Sequence, residues 1–253
     1  MKDLGDYIRC LPTWAPTPVP DDIPYGDMPG DKIEIGPDHI AKAELIMVPL
    51  LAALADAGTD KAVVSVYGGS GVGKSEIASL LGFHLRALGI GAYIMSGDNY
   101  PHRIPKLNDA QRERAYEEGG EEGLRAYLGS EYEINFKEVN EIIRLFHAGE
   151  PEIYLRRMGR EVGELWYEPV DFSEVSVLVI EWTHGNSVHL RGIDVPVFLN
   201  STPEETLAHR RARNRDGAVD SPFTTLVLSI EQEALAARRD TAKIVVSKKG
   251  TLE

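Results

Sequence analysis

The stretch GGSGVGKS, Gly68 to Ser75, constrains the fold of this chain more than any other. It fits G-x-x-x-x-G-K-[ST], with the β-branched run KAVVSVY before it and the helix-spaced run GKSEIASLLGFHLRAL over and after it. A glycine-rich turn between a buried strand and a helix lets successive backbone N–H groups face one anion. The helix N-terminus adds partial positive charge to the same point. Gly68, Gly69, Ser70, Gly71, Val72, Gly73, Lys74 and Ser75 are therefore expected to cradle a nucleoside triphosphate. Lys74 would reach its β- and γ-phosphates, and Ser75 would offer an oxygen to Mg²⁺.

Around this loop, apolar runs and helical patterns alternate. IGAYIMS (90–96), VSVLVIEW (175–182), VPVFLNS (195–201) and TAKIVVS (241–247) read as buried strands. Residues 108–149 read as helices closed by glycines, and PEIYLRRMGREVGELWYEP as a hairpin turning near Gly159–Gly163. PEETLAHRRARNRD and SPFTTLVLSIEQEALAARRD open on proline or Ser-Pro and read as helices. The expected fold is α/β, a doubly wound parallel sheet flanked by helices. A helical and hairpin substrate-side insertion is expected over about residues 100–170, and an arginine-bearing lid over about 209–222. Residues 1–37, rich in proline, aspartate and glycine, read as an extended arm before a single domain at 38–253. Asp38 is expected to cap the helix that follows, and Pro49 to kink or break it.

Composition narrows the partners. A formal net charge of −13 argues against nucleic acid or an anionic membrane as the main partner. The single cysteine, Cys10, excludes an internal disulfide and a cysteine-rich metal cluster. The N-terminus lacks the apolar core of a signal peptide, and the longest apolar run is too short to span a bilayer. A cytoplasmic location is expected.

GTPases, motors and small-molecule kinases all use such a loop. A GTPase needs N-K-x-D and a downstream D-x-x-G. The chain has no Asn-Lys pair, and its one D-x-x-G, Asp27 to Gly30, lies upstream of the loop. A kinase needs an acid near the γ-phosphate, a second acid at a strand end for Mg²⁺, and mobile arginines. Asp98 and Glu181 end two apolar runs, and Arg210, Arg211, Arg213 and Arg215 crowd HRRARNRDG.

In this order the segments resemble the phosphoribulokinase/uridine kinase family of P-loop kinases over roughly residues 60–250. GGSGVGKSE is similar to its loop, which brings Glu76 into the nucleotide-binding segment. SGDNYPHR is similar to its strand-end aspartate segment, VLVIEWTHG to its Glu-Gly strand end, PVFLNSTPEETLAHRRARNRDG to its lid, and DTAKIVVSKKG to its last strand. The resemblance implies transfer of the ATP γ-phosphate to a hydroxyl of a small molecule, with Mg²⁺ held by Ser75 and Glu181. It makes Asp98 the general base and Lys74, Arg210, Arg213 and Arg215 catalytic partners. Self-association as a dimer is implied by resemblance alone.

The acceptor is expected among Tyr100, His102, Arg103, Tyr154, Arg157, Arg160, Trp182 and His184. Arg103, Arg157 and Arg160 are candidates for an anion pocket, or for structural ion pairs. IYLRRMGRE lacks the Tyr-Asp-Phe and histidine of uridine-binding relatives, and GDNYPHR differs from the phosphoribulokinase segment by Pro101. A sugar, sugar phosphate or sugar acid is expected. A nucleoside, or a regulatory ATPase role with no small acceptor, are the alternatives.

Overall fold

The computed structural model describes residues 3–213 and 221–253. Five strands form one parallel sheet: β1 (Ala62–Gly68), β2 (Ala92–Ser96), β5 (Val177–Glu181), β6 (Val195–Asn200) and β7 (Ile244–Ser247). Their order is β2-β5-β1-β6-β7, so β1 lies at the centre. Every residue of β1 and β5 is buried, as strands covered on both faces must be.

One face is covered by α2 (Pro37–Ala55) and α3 (Lys74–Ala87), with Ile46, Leu50, Leu54, Ile77 and Leu81 in the seam. Each such side chain contributes roughly 1.5–3 kcal/mol by leaving water. The other face is covered by α5 (Phe136–His147) and the antiparallel hairpin β3 (Glu152–Met158) and β4 (Leu165–Asp171). The insertion begins with α4 (Pro105–Tyr127), which changes direction at Gly120 (φ +62°, ψ −153°). Helices α6 (Pro203–Arg213) and α7 (Pro222–Ala236) follow β6.

Two local expectations are corrected. The cap of α2 is Gly36, with Pro37 as the first helical residue and His39 Nδ1 accepting the Gly36 N–H at 3.1 Å; Asp38 sits inside the first turn. A proline at the first position has no N–H to waste, which places the cap two residues upstream of Asp38. Helix α2 also runs through Pro49 without the break that is one of the two outcomes expected there. Its flanking residues Met47, Leu50 and Leu51 are buried in the core, and that packing outweighs the lost hydrogen bond.

The arm is tied to the same core. A short helix, α1 (Leu4–Arg9), buries Leu4 and Ile8, and Ile23 joins them. Trp14 meets His84 edge-on at 5.5 Å. Among the described residues no helix is long and apolar enough to cross a membrane.

Candidate active site

The parallel sheet directs the ends of β1, β2 and β5 to one edge, where open α/β sheets hold their ligands. β1 runs into the loop. Gly71 (φ +74°) and Gly73 (φ +94°) take left-handed backbone there, and a Cβ on Gly71 would sit 2.7 Å from Arg210 Cγ. Helix α3 starts at Lys74 with no side chain capping it, so its first N–H groups face the loop. Lys74 Nζ donates to Gly69 O at 3.0 Å. Val72 is buried in the core, Ser70 is exposed, and Glu76 is buried beside His39 of α2.

At the end of β5, Glu181 Oε2 accepts the Ser75 hydroxyl at 3.2 Å, and Oε1 accepts the Ser96 hydroxyl at 2.6 Å. Burial pushes the Glu181 carboxyl up to about 8, and the charge of Asp98 pushes the same way; Ser96 and Lys74 oppose them. A buried acid surrounded by hydroxyls suits a hard cation with oxygen ligands. No cluster of three or more His, Cys, Asp or Glu able to hold a metal occurs among the described residues.

Asp98 is exposed on a 3₁₀ turn, Gly97–Asn99, directly after β2. The turn lies on the indole of Trp182, the residue after Glu181. A Cβ on Gly97 would fall 2.0 Å from Trp182 Cγ. Gly97→Ala is therefore expected to destabilise the fold by about 1–3 kcal/mol, read as a lowered midpoint in urea unfolding.

Several expected acceptor residues lie elsewhere. Tyr100 is fully buried, its hydroxyl 3.6 Å from Met95 sulfur. Trp182 is 1% exposed and packs against Phe136. Both are core residues, because the turn after β2 folds back onto the sheet. Arg157 is no anion receptor: it donates to Asp27 Oδ2 (2.8 Å), the Tyr93 hydroxyl (3.1 Å) and Glu168 Oε2 (3.1 Å). Arg103 donates to the Tyr127 hydroxyl and Tyr132 O, and the His102 ring is 3.1 Å from Glu131 O. These two brace the loop that follows Asp98. Tyr154 is exposed on β3, and Arg160 is exposed at the hairpin turn.

His184 lines a cavity of about 440 Å³ between the end of α4, the segment after β5, and α7. Asn186, His189, Glu231 and Arg238 share its wall. Burial pushes the His184 imidazole down to about 4, against the pull of Glu133, so the ring is neutral at pH 7. Behind it, Glu133 accepts from Asn108 (2.8 Å), Arg112 (2.6 Å) and the Gly129 N–H (2.6 Å). Glu231 lies within electrostatic reach of Lys74 and Asp98, which ties the cavity to the loop.

Of the expected lid arginines, Arg210 lies over Gly71 and donates to Pro203 O at 2.8 Å. The Arg213 side chain and Arg215 lie outside the described residues. From α7, Gln232 Oε1 would stand 3.4 Å from a Cβ on Gly69. No motif marks Gln232 or Glu133, and neither the D-x-x-G that Asp27 opens nor the SGDNYPHR segment that Ser96 opens gives those two a role; only their placement brings them to the site.

The architecture matches solved kinases. Phosphoribulokinase from Rhodobacter spheroides superposes with a TM-score of 0.56 at 17% identity, covering 74% of this chain and 70% of that one. This chain has a P-loop kinase fold. A second solved P-loop kinase, D-glycerate 3-kinase from Cryptococcus neoformans, superposes with a TM-score of 0.54 at 11% identity, covering 86% and 98%. In sequence, the chain is 50% identical over 193 residues to a bifunctional alpha-galactosidase/sucrose kinase of Mediterraneibacter gnavus. That match takes in 76% of this chain and 21% of the relative, so the chain spans about a fifth of the relative's length. No model of a known protein family matches the sequence.

Proposed function

We propose that this chain is an ATP-dependent sugar kinase of the phosphoribulokinase/uridine kinase type, acting on a hydroxyl of an uncharged sugar. The observation that carries the reading is the meeting of Ser75 and Glu181 at 3.2 Å beside Lys74, with Asp98 near enough to raise the Glu181 pKa. The 50% identity to a bifunctional sucrose kinase makes sucrose the first acceptor to try.

The loop amides and Lys74 hold the triphosphate of ATP, and Arg210 covers the loop from α6. Ser75 and Glu181 would hold Mg²⁺, which supplies positive charge to the phosphate oxygens. Asp98 accepts the proton of the acceptor hydroxyl while that oxygen bonds the γ-phosphorus. The bond from the γ-phosphorus to the bridging oxygen breaks, and ADP leaves with the electron pair.

The charge inventory supports an uncharged acceptor. Arg103, Arg156 and Arg157 are all engaged by protein oxygens. Arg125, at the cavity wall, is paired with Glu121 and Glu233. His184 is neutral at pH 7 and can exchange hydrogen bonds with hydroxyls. The cavity is within the usual ~300–1,000 Å³ range of small-molecule sites. ATP as donor suits a cytoplasmic enzyme.

An ADP-release assay over sucrose, monosaccharides, sugar phosphates, glycerate and uridine tests this. Sucrose or another neutral sugar is expected to raise ADP release at least tenfold over basal hydrolysis. Stimulation by a sugar phosphate or glycerate alone would overturn the uncharged acceptor; stimulation by uridine alone would make the enzyme a nucleoside kinase. No stimulation by any acceptor would leave a regulatory ATPase.

A further inference from the structure

The arm reaches the active site through one residue. Asp27 Oδ1 accepts the Ser96 N–H at 2.7 Å and Asn99 Nδ2 at 3.2 Å. Its Oδ2 accepts the Tyr93 hydroxyl at 2.9 Å and Arg157 Nη1 at 2.8 Å. Ser96 and Asn99 are the residues on either side of Gly97 and Asp98. Asn99 Oδ1 in turn accepts the Met158 N–H of β3 at 3.0 Å. The turn bearing Asp98 is thus gripped from the arm, from the end of β2 and from the hairpin at once. Gly26 completes the wall: a Cβ there would stand 3.7 Å from Glu181 Oε1.

The Asp27 and Arg157 side chains are only 8% and 7% exposed. Sequestering two charges from water costs several kcal/mol per ion, and an apolar pair of similar volume is often as stable or more so. Stability alone therefore does not account for an ion pair at this position. A site that transfers a proton does, because a displacement of about 1 Å can cost 10²-fold in rate.

We infer that Asp27 of the N-terminal arm is a positioning residue that clamps the Gly97–Asn99 turn and so fixes the Asp98 carboxylate against the phosphate loop. The inference rests on the reading of Asp98 as the base. The same carboxylate bonds the backbone of the edge strand at Ser96, the residue before the turn, and the side chain of Asn99, the last residue of the turn, so it ties the two flanks of Asp98 to one point.

The test is a double-mutant cycle on the full chain, reading kcat and the KM for ATP with the acceptor found above. Asp27→Ala is expected to lower kcat roughly 10–100-fold with the KM for ATP within about threefold. In the Asp98→Asn background the same change is expected to cost less than about threefold, because the clamp then holds nothing that takes a proton. Equal losses in both backgrounds, or a raised KM for ATP at unchanged kcat, would make Asp27 a structural residue only. If Asp27→Ala does not fold, Asp27→Asn runs the same cycle. It keeps an acceptor for Ser96 and Asn99 but turns an NH₂ group toward Arg157, and the same non-additivity is expected.

Hydrogen exchange reads the clamp without any activity. In the Asp27 variant, peptides covering 96–100 should exchange about tenfold faster while α3 is unchanged. Unchanged exchange at 96–100 overturns the clamp. An Asp98→Asn enzyme as fast as the wild type, with faster exchange at 96–100 in the Asp27 variant, removes the base reading and leaves the clamp standing.

Discussion

Replacing Asp98 by asparagine is expected to lower kcat by about 10²–10⁴-fold, the usual contribution of a positioned general base. Asparagine keeps the size of the side chain and its exposed place on the Gly97–Asn99 turn. It cannot take the acceptor's proton. The turn should persist, since it is held by Ser96, Asn99 and the Gly97–Trp182 contact and not by the Asp98 carboxylate. ATP affinity should therefore stay within a few-fold, measured by titration calorimetry on the same preparation. Turnover within a few-fold of wild type, with folding intact, would show that Asp98 is not the base. Removing the Asp98 charge also relieves Glu181, whose carboxyl is pushed up mainly by burial and next by Asp98. The variant should release a smaller fraction of a proton on Mg²⁺ binding, because more of its Glu181 is already ionised at pH 7.

Lys74→Ala is expected to remove ATP turnover, with kcat/KM falling by roughly 10³-fold or more. The ammonium now rests on Gly69 O at 3.0 Å, within the loop. To meet a phosphate it exchanges a single carbonyl for charged oxygens, a change that strengthens as charge moves to the leaving ADP. Alanine loses that contact and leaves the phosphates without the loop's own cation. The fold should be spared, since Lys74 only opens α3 while Ile77, Ala78, Leu80 and Leu81 carry the packing. Thermal unfolding beside the ADP-release assay checks both halves. Turnover that survives the substitution in a folded protein would contradict the phosphate-loop reading.

What the sequence revealed follows its physical grammar. The loop stood out in the sequence because its glycines, lysine and serine fit one motif, and the strand before it carries Val63, Val64 and Val66. Asp98 and Glu181 stood out as candidates because Glu181 ends the apolar run VLVIE and Asp98 follows IGAYIMS after one glycine, each at the mouth of a buried strand. The aromatic and cationic residues were not. Whether Tyr100 and Trp182 face the ligand or the core depends on how a three-residue turn folds back, and no periodicity spans so short a segment. The duty of Arg157 depends on a carboxylate 130 residues away. Asp27 opens an upstream D-x-x-G in a proline-rich arm, which says nothing of its partners, and Glu133 is buried in a bend between two helices. Long-range polar pairs leave no local trace, so these partners emerged only from the fold.

Label transfer measures group transfer from ATP to a neutral sugar directly. With γ-³²P-labelled ATP, Mg²⁺ and sucrose, the wild-type chain should move label onto the sugar at the rate at which ADP appears, and the Asp98→Asn chain should do so at least 10²-fold more slowly. Label released only as inorganic phosphate, with no labelled sugar from sucrose or any other neutral acceptor, would show that the chain is not a neutral-sugar kinase.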